Sequence, residues 1–172
     1  AAALWKALRS DNLQREAPGW SPQEFARWLE QEHADRAARY GELDLLAPDI
    51  KSGPGGLRDL HHVRWLALAL HGQPSWPGVF SEADHRGLRA AGELLLRCRN
   101  ALHLAGMRTG DAMPLELQPE IAGWLGFEDK DPARRAETFL AELHQAMALI
   151  RRARRTVSRL ALRGDEPCVP LG

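Results

Sequence analysis

The sequence predicts an all-α fold, a single compact helical bundle of about five to six helices. Apolar residues recur at intervals of three and four along most of the chain, and no segment alternates between apolar and polar residues as a half-buried strand would. A chain of 172 residues with 44% hydrophobic content can bury one core but is small for two. We therefore expect one helical domain over residues 1–163 and a disordered tail over 164–172.

The first two predicted helices of the core begin at clear sequence signals. Ser21 and Glu24 form a capping box, with proline at the first helical position, and predict a helix over 22–40. A second helix is predicted over 57–71, before Gly72. It is apolar on more than one face, which indicates a central and largely buried position.

Three more helices are predicted in the second half of the chain. Ser81, with Asp84 three residues later, is an N-cap for a helix that ends near Gly106. Prolines and a glycine bound a shorter helix over 120–125. The last helix follows Pro132 and keeps its apolar residues in register up to Gly164.

Composition excludes several classes of protein. The 23 basic and 23 acidic residues cancel, so net charge gives no reason to expect nucleic acid or a membrane surface as a partner. No apolar run approaches the roughly 18 residues that a membrane-spanning helix needs. Cys98 and Cys168 have no neighbouring ligands at metal-binding spacing. We expect a reduced, cytoplasmic protein that contacts neither nucleic acid nor membrane.

The most informative segment is the glycine-rich run 48–59, which leads directly into the second helix. Glycine permits positive φ and close backbone approach, and a helix start directs N–H groups and a positive dipole end at the loop. The run is neither a Walker A loop nor a dinucleotide fingerprint. A tight helix start with solvated charges explains it equally well. The candidate nucleotide- or phosphate-binding residues are Lys51, Gly53, Gly55, Gly56, Arg58 and Asp59.

The same run closely resembles a signature of the bifunctional uridylyltransferase/uridylyl-removing enzymes that modify the PII signalling protein. That family reads Pro-Asn-Ile-Lys-x-Gly-Pro-Gly-Gly-Leu-Arg-Asp, and this chain differs only at Asp49. The similarity continues at 36–41, 97–103 and 121–127 and covers most of residues 22–155. The sister adenylyltransferases of glutamine synthetase favour Ile-Arg-Glu where this chain has Leu-Arg-Asp, and they usually lack proline at position 54.

The resemblance implies a helical domain between a nucleotidyltransferase core and an HD hydrolase domain. The full-length parent would use UTP and Mg²⁺ and would act on the PII protein. This chain has neither the paired strand aspartates nor a His-Asp dipeptide, so we assign it no catalytic and no metal-binding residue. Its Asp129-Lys130-Asp131 run reads as a solvated turn and N-cap. The fragment alone is not expected to be catalytically competent.

Four further polar residues match a pattern of the same family. Arg99 and His103 are four apart and share a helix face, and Arg108 and Asp111 follow in the turn. By the resemblance they are possible cleft-lining residues, next to the missing core. A structural polar cluster is an equally good interpretation, because buried Arg and Asp usually pair to satisfy each other.

Two other charged patterns have ordinary structural explanations. The adjacent His61 and His62 point to different helix faces and make a poor metal pair, so packing or capping is the better interpretation. A basic run on the last helix is expected to be a solvated helix end that complements the macrodipole. That run contains Arg151, Arg152, Arg154, Arg155, Arg159 and Arg163.

Three functional hypotheses follow. The chain is the helical domain of a uridylyltransferase, the same module in an adenylyltransferase or related nucleotidyltransferase, or a non-catalytic scaffold whose glycine loop only turns the chain. Agreement with the signature favours the first over the second. The directions of Lys51 and Arg58 distinguish the first two hypotheses from the third: in a cleft both cations would face a shared open space, and in a scaffold they would face carboxylates of their own domain.

Overall fold

The computed structural model describes residues 21–40, 46–71, 75–76, 78–106 and 110–163. This part of the chain contains no β-strand, only an isolated antiparallel bridge between Asp49 and Ala112. The predicted all-α fold is therefore confirmed. The predicted tail lies outside the described residues. The helices are Pro22–Tyr40 (α1), Leu57–His71 (α2), Glu82–Leu104 (α3), Gln118–Trp124 (α4) and Pro132–Arg163 (α5), with a 3-10 turn at Leu115–Leu117.

The predicted capping box at Ser21 forms, and the predicted N-cap at Ser81 is also part of a capping box. The Ser21 N–H donates to the Glu24 carboxylate over 2.7 Å, and the Glu24 N–H returns a 3.3 Å bond to the Ser21 hydroxyl. At the start of α3 the Ser81 N–H donates to Asp84 over 2.9 Å, and the Asp84 N–H donates to the Ser81 hydroxyl over 3.1 Å. Each reciprocal pair satisfies N–H groups that a helix start leaves without partners.

The longest helix, α5, is the centre of the bundle and packs against all four of the other α-helices described here. Its inward face repeats at intervals of three and four, as the sequence predicts. Helices α1, α2, α3 and α4 each place one face against it, so the shared core is arranged around one helix. The buried residues of α5 include Phe139, Leu143, Met147, Ile150, Ala153, Val157 and Ala161.

Helix α4 begins at Gln118, two residues before the predicted start. Pro119 falls in the first helical turn, where a missing N–H costs nothing, so it starts the helix instead of preceding it. The buried Gln118 amide donates to the carbonyls of Met113 over 3.2 Å and Leu46 over 2.6 Å. The bond to Leu46 connects α4 to the segment before the glycine loop.

Trp76 fastens the connection between α2 and α3 to the core. Its side chain is almost fully buried, and its indole Nε1–H donates to the Val63 carbonyl over 3.0 Å.

Cys98 on α3 is also buried, and burial raises the pKa of its thiol to about 12. This thiol is therefore protonated and unreactive at neutral pH.

The glycine loop lies directly on α5. Gly55 has φ +84°, in the left-handed region that favours glycine, and a Cβ there would overlap the Met147 carbonyl. A Cβ on Gly56 would meet the Ile50 carbonyl oxygen at 2.8 Å. At both positions the loop lies so close to the protein's own backbone that only glycine fits.

We predict that Gly55→Ala lowers the free energy of unfolding by more than about 2 kcal/mol, because it adds both backbone strain and overlap with α5. Gly126→Ala is the matched control. Gly126 also has positive φ, at +93°, but no atom lies within 4 Å of its added Cβ, so only the conformational cost of about 1 kcal/mol applies. Urea denaturation of both variants measures the difference. Equal losses of unfolding free energy in the two variants would show that the loop does not contact the α5 backbone closely.

Candidate functional site

An antiparallel bridge joins the glycine loop to the segment that follows α3. The Ile50 N–H donates to the Asp111 carbonyl over 2.8 Å, and the Met113 N–H donates to the Pro48 carbonyl over 3.0 Å. These bonds place Lys51 beside the Asp111 side chain. The two groups of candidate residues, far apart in sequence, therefore meet at one place.

Two of the four possible cleft-lining residues, together with Lys51, surround the carboxylate of a third, Asp111. Arg99 Nε donates to Asp111 Oδ1 over 2.6 Å, and His103 Nε2 lies 3.5 Å from the same oxygen. Lys51 Nζ lies 3.7 Å from Asp111 Oδ2. Arg108, the fourth residue, lies outside the described residues.

The cluster around Asp111 carries more positive than negative charge. Partial burial would raise the pKa of Asp111, but the Arg99 hydrogen bond and the charges of Arg99, Lys51 and His103 outweigh it and lower that pKa. The side chains of Lys51, Arg99 and His103 are 38%, 33% and 39% exposed, against 15% for Asp111. Two solvent-accessible cations, Lys51 and Arg99, and the His103 imidazole thus surround a single, mostly covered anion.

Arg58 is the other candidate cation, and it is exposed on the first turn of α2. Within the described residues its guanidinium forms no hydrogen bond and no ion pair. Lys51 lies beside a carboxylate of its own domain, as expected of a scaffold, whereas Arg58 is exposed and pairs with none of the described carboxylates, as expected of a cleft residue. Lys51 therefore favours the scaffold hypothesis, and Arg58 favours the cleft hypothesis.

The backbone N–H groups of the loop donate within the chain. Those of Gly56, Leu57 and Arg58 donate to the carbonyls of Gly53, Ile50 and Lys51, over 2.9, 3.0 and 3.0 Å. The Gly55 N–H donates to the Asp59 carboxylate over 2.9 Å, and the Gly53 N–H donates to the Asp49 carbonyl over 3.2 Å. Phosphate binding at the three glycines stays a prediction, and it would depend on side-chain cations.

Asp49, the single departure from the signature, closes the start of the loop. Its Oδ1 accepts from the N–H groups of Lys51 over 2.9 Å and Ser52 over 2.6 Å. This is an Asx turn, and an asparagine side-chain oxygen accepts the same two bonds. The structure therefore explains why Asp can replace Asn here without changing the loop.

Asp59 is buried, with only 1% of its surface exposed, and is not part of an open site. Its Oδ1 accepts from Arg36 Nη2 over 2.9 Å and lies 3.3 Å from His33 Nδ1. Its Oδ2 accepts the Gly55 N–H and lies 3.8 Å from Arg154 Nε. Burial would raise the pKa of Asp59, but the bonds from His33 and Gly55 and the charges of His33 and Arg154 lower it.

A second carboxylate, which is only partly buried, extends this network between α1, α2 and α5. Glu30 accepts two bonds from Arg154 Nη1, over 2.9 and 3.2 Å, and lies 3.3 Å from His62 Nε2. The Ser158 hydroxyl is 3.1 Å from the same His62 nitrogen. Burial alone would raise the pKa of Glu30, but His62, Ser158 and Arg154 lower it to about 2.

Sequence reasoning missed most of this network. Arg154 was expected among the solvated arginines of the last helix, and that expectation is wrong, because the residue is only 7% exposed. A signal was present: Arg154 is four residues after Ile150 and three before Val157, which places it on the apolar face of α5. The packing role expected for His62 agrees with its burial. His61 lies on the exposed face of α2, with its ring tilted against that of Trp65 at 5.7 Å between the ring centroids.

The described residues contain no group of three or more His, Cys, Asp or Glu side chains that could hold a metal ion. Asp129 and Asp131 form a turn and an N-cap, as expected: the Asp131 N–H donates to Asp129 over 2.8 Å, and the Ala133 N–H donates to Asp131 over 3.0 Å. Of the helices described, none is long and apolar enough to span a bilayer.

Comparison with known proteins identifies the family. The family model described as GlnD PII-uridylyltransferase matches residues 23–158, which include the glycine loop, the Asp111 cluster and the buried network. The chain belongs to this family. Curated relatives carry the name bifunctional uridylyltransferase/uridylyl-removing enzyme. One from Xanthomonas campestris pv. campestris (strain B100) is 33% identical over 159 residues, and one from Azotobacter vinelandii (strain DJ) is 32% identical over 135 residues.

The match covers most of this chain but a small part of each relative. It includes 88% of the chain and 18% of the Xanthomonas protein, and 74% of the chain and 15% of the Azotobacter protein. The chain thus spans less than a fifth of the length of these relatives. No solved structure matches it.

The buried network predicts a specific pH dependence. The folded-state pKa of Glu30, about 2, lies below its ordinary value of 4.5. Its carboxylate therefore stabilises the fold above about pH 4.5, and this contribution is lost as the pH falls towards 2. We expect Glu30→Gln to lower the free energy of unfolding by about 2 kcal/mol at pH 7 and by progressively less between pH 4.5 and pH 3.

Glu32→Gln, at an exposed position on the same helix, is the matched control and should change stability by less than about 0.5 kcal/mol at every pH. Urea titrations at a series of pH values give both differences. A Glu30→Gln effect that stays constant from pH 7 to pH 3 would contradict the ionic role of this carboxylate.

Proposed function

We propose that this chain is the helical domain of a PII uridylyltransferase/uridylyl-removing enzyme, and that it completes the nucleotide or acceptor cleft beside the nucleotidyltransferase core. The observation that carries the proposal is the convergence of Lys51, Arg99 and His103 on Asp111. This cluster is accessible and has excess positive charge. The loop that brings Lys51 there also starts the helix that exposes Arg58.

The chemistry of UTP fits such a cluster. A triphosphate carries several negative charges, and Arg and Lys side chains bind phosphate oxygens through charge-assisted hydrogen bonds. Asp111 would hold Arg99 and Lys51 in position until the nucleotide arrives. The carboxylates for Mg²⁺ would have to come from the nucleotidyltransferase core, because the described residues offer no such set.

Family membership supports this proposal over the adenylyltransferase alternative, because the matching model and the relatives above are uridylyltransferases. The scaffold alternative draws support from the ion pair between Lys51 and Asp111. Arg58 opposes it, because no carboxylate of the described bundle pairs with that guanidinium. In the proposed role, the PII protein, UTP and the flanking transferase and HD domains are the partners, in the cytoplasm.

For the full-length enzyme we predict that Arg58→Ala reduces uridylyl transfer at least about a hundredfold, while uridylyl removal and the melting temperature stay close to wild type. A guanidinium aimed at developing phosphoryl charge contributes far more in the transition state than on a solvated surface. Activity assays in both directions and thermal melting of the same preparation test this.

Two further variants serve as references for that experiment. Arg159→Ala removes an exposed arginine of α5 and should leave both activities unchanged. Asp59→Asn weakens the buried network, so both activities and the melting temperature should fall together. A pattern for Arg58→Ala that matches Asp59→Asn would reject the role in the cleft.

The isolated chain allows a direct binding test. We expect UTP to bind it weakly, and Lys51→Ala to reduce the affinity about three- to tenfold, because the ammonium group contacts phosphate at a partly screened site. Lys130→Ala, at an exposed position near the start of α5, is the matched control. NMR titration of ¹⁵N-labelled protein measures both. Equal affinities of the two variants would exclude Lys51 from the nucleotide site.

A further inference from the structure

The outward side of α2 carries a row of exposed side chains, here called the α2 outer face. Arg58, His61 and Trp65 are spaced by three and four residues, and Arg64 adjoins them, so the four lie within about a third of the helix circumference. All four residues are exposed, Trp65 to 45%. The single acidic residue of α2, Asp59, is buried. The α2 outer face is therefore cationic and contains a large aromatic ring.

The two guanidinium groups of this face have no partner among the described residues. Neither Arg58 nor Arg64 forms a hydrogen bond or an ion pair there. The Arg64 side chain lies near α3, where a Cβ placed on Gly92 would be 3.8 Å from its Nη2 atom. Partial burial, and then the charges of Arg64 and Arg58, lower the pKa of His61. The face thus holds two positive charges that no described carboxylate pairs with.

The α2 outer face begins next to the proposed nucleotide cleft. The Arg58 N–H donates to the Lys51 carbonyl over 3.0 Å, so the start of the face is adjacent to the residue that reaches the Asp111 cluster. From Arg58 to Trp65 the helix rises about 10 Å. An extended peptide advances about 3.3 Å per residue, so about three of its residues cover this distance. A partner chain that follows the face would therefore reach the cleft at the Arg58 end.

The chemistry of the face favours an acidic protein segment as its partner. Carboxylates complement unpaired arginines, and Trp and Arg are the residue types that contribute most to protein interfaces. Domains that bind nucleic acid are typically basic, whereas this chain has 23 basic and 23 acidic residues. The exposed side of a single helix is convex, and it cannot enclose a small molecule as a pocket does.

We propose that the α2 outer face docks an acidic segment of the protein that the full-length enzyme modifies. Two carboxylates of the segment would pair with Arg58 and Arg64, and a neighbouring apolar side chain would cover the indole ring of Trp65. This inference rests on the proposed function, because docking along α2 would bring the acceptor to a nucleotide bound beside Lys51. It gives Arg64 and Trp65 a role in acceptor binding that the nucleotide cleft does not require.

The 172-residue chain tests this chemistry with three capped nine-residue peptides, which repeat Glu-Glu-Leu, Gln-Gln-Leu or Lys-Lys-Leu. Binding is followed by NMR at low salt, through the indole N–H signal of Trp65 and the amide signals of Arg58 and Arg64. We expect the acidic peptide to shift these signals saturably and to bind at least about tenfold more tightly than the neutral one, while the basic peptide does not bind. Tighter binding of a nine-nucleotide thymidine strand than of the acidic peptide would overturn the choice of partner.

Substitutions distinguish docking from nucleotide binding. Arg64→Glu and Trp65→Ala should each weaken binding of the acidic peptide at least about fivefold and leave the affinity for UTP unchanged. Lys51→Ala should weaken UTP binding and leave the affinity for the peptide unchanged. Arg159→Glu makes the same charge change as Arg64→Glu at an exposed position of α5, and it should change neither affinity.

In the full-length enzyme, Arg64→Glu should raise the KM for the acceptor protein at least about tenfold, with kcat and the KM for UTP unchanged. Arg64→Gln, which removes the charge without reversing it, should raise that KM by a smaller factor. An unchanged KM for the acceptor in both variants would overturn the proposal. A fall in the melting temperature of both variants would show that the face packs against another domain of the enzyme, and it would overturn the proposal as well.

The peptide and UTP measurements separate this inference from the proposed function. Absence of saturable shifts at Trp65 with the acidic peptide, or equal affinities of the acidic and neutral peptides, would overturn docking on α2 even if UTP binds at Lys51. Binding of the acidic peptide by a chain that does not bind UTP would instead reject the nucleotide cleft and support an acidic partner for the α2 outer face.

Discussion

The buried carboxylate of Asp59 is the interaction on which the rest of the structure depends. It joins three parts of the bundle: Arg36 of α1 donates to it, Gly55 of the loop donates to it, and Arg154 of α5 lies beside it. Taking a charge out of water costs several kcal/mol, and only well-placed donors and counter-charges offset that cost. The positions of α1, the loop and α5 are therefore coupled through one anion, and Glu30 repeats the arrangement a short distance away.

The signature run serves both the interior and the surface of the protein. Gly55 and Asp59 face inward, where the first permits contact with the α5 backbone and the second forms the buried network. Arg58 faces outward, and Lys51 reaches the accessible Asp111 cluster. An anion-binding interpretation of the whole run assigned every glycine to a ligand. The structure shows that the close approaches at the glycines are to the protein's own backbone.

The helices could be predicted from the sequence because their signals are local. Caps such as Ser21 and Ser81 and apolar spacing along α5 depend on neighbouring residues alone. The buried network could not be predicted in the same way. Whether Asp59 faces a ligand or Arg36 depends on how α1 packs against α2, and spacing within one helix contains no such information. The Asp111 cluster was half predictable: Arg99 and His103 share a face, but only the bridge to Ile50 brings in Lys51.

The buried network also fixes the backbone positions of the surface cations that the proposed function assigns to nucleotide binding. Asp59 and Arg58 are adjacent on α2, so a fixed position for the buried carboxylate fixes the backbone from which the exposed guanidinium extends. The loop before them has its N–H groups bonded internally, and the Ile50 bridge holds Lys51 next to Asp111. A cationic site on an ordered backbone loses less entropy when it binds an anion than the same cations on a mobile loop would. Because the N–H groups of the loop are already hydrogen-bonded within the chain, they are not available to an anion. An anion at this loop would therefore have to bind to the side chains.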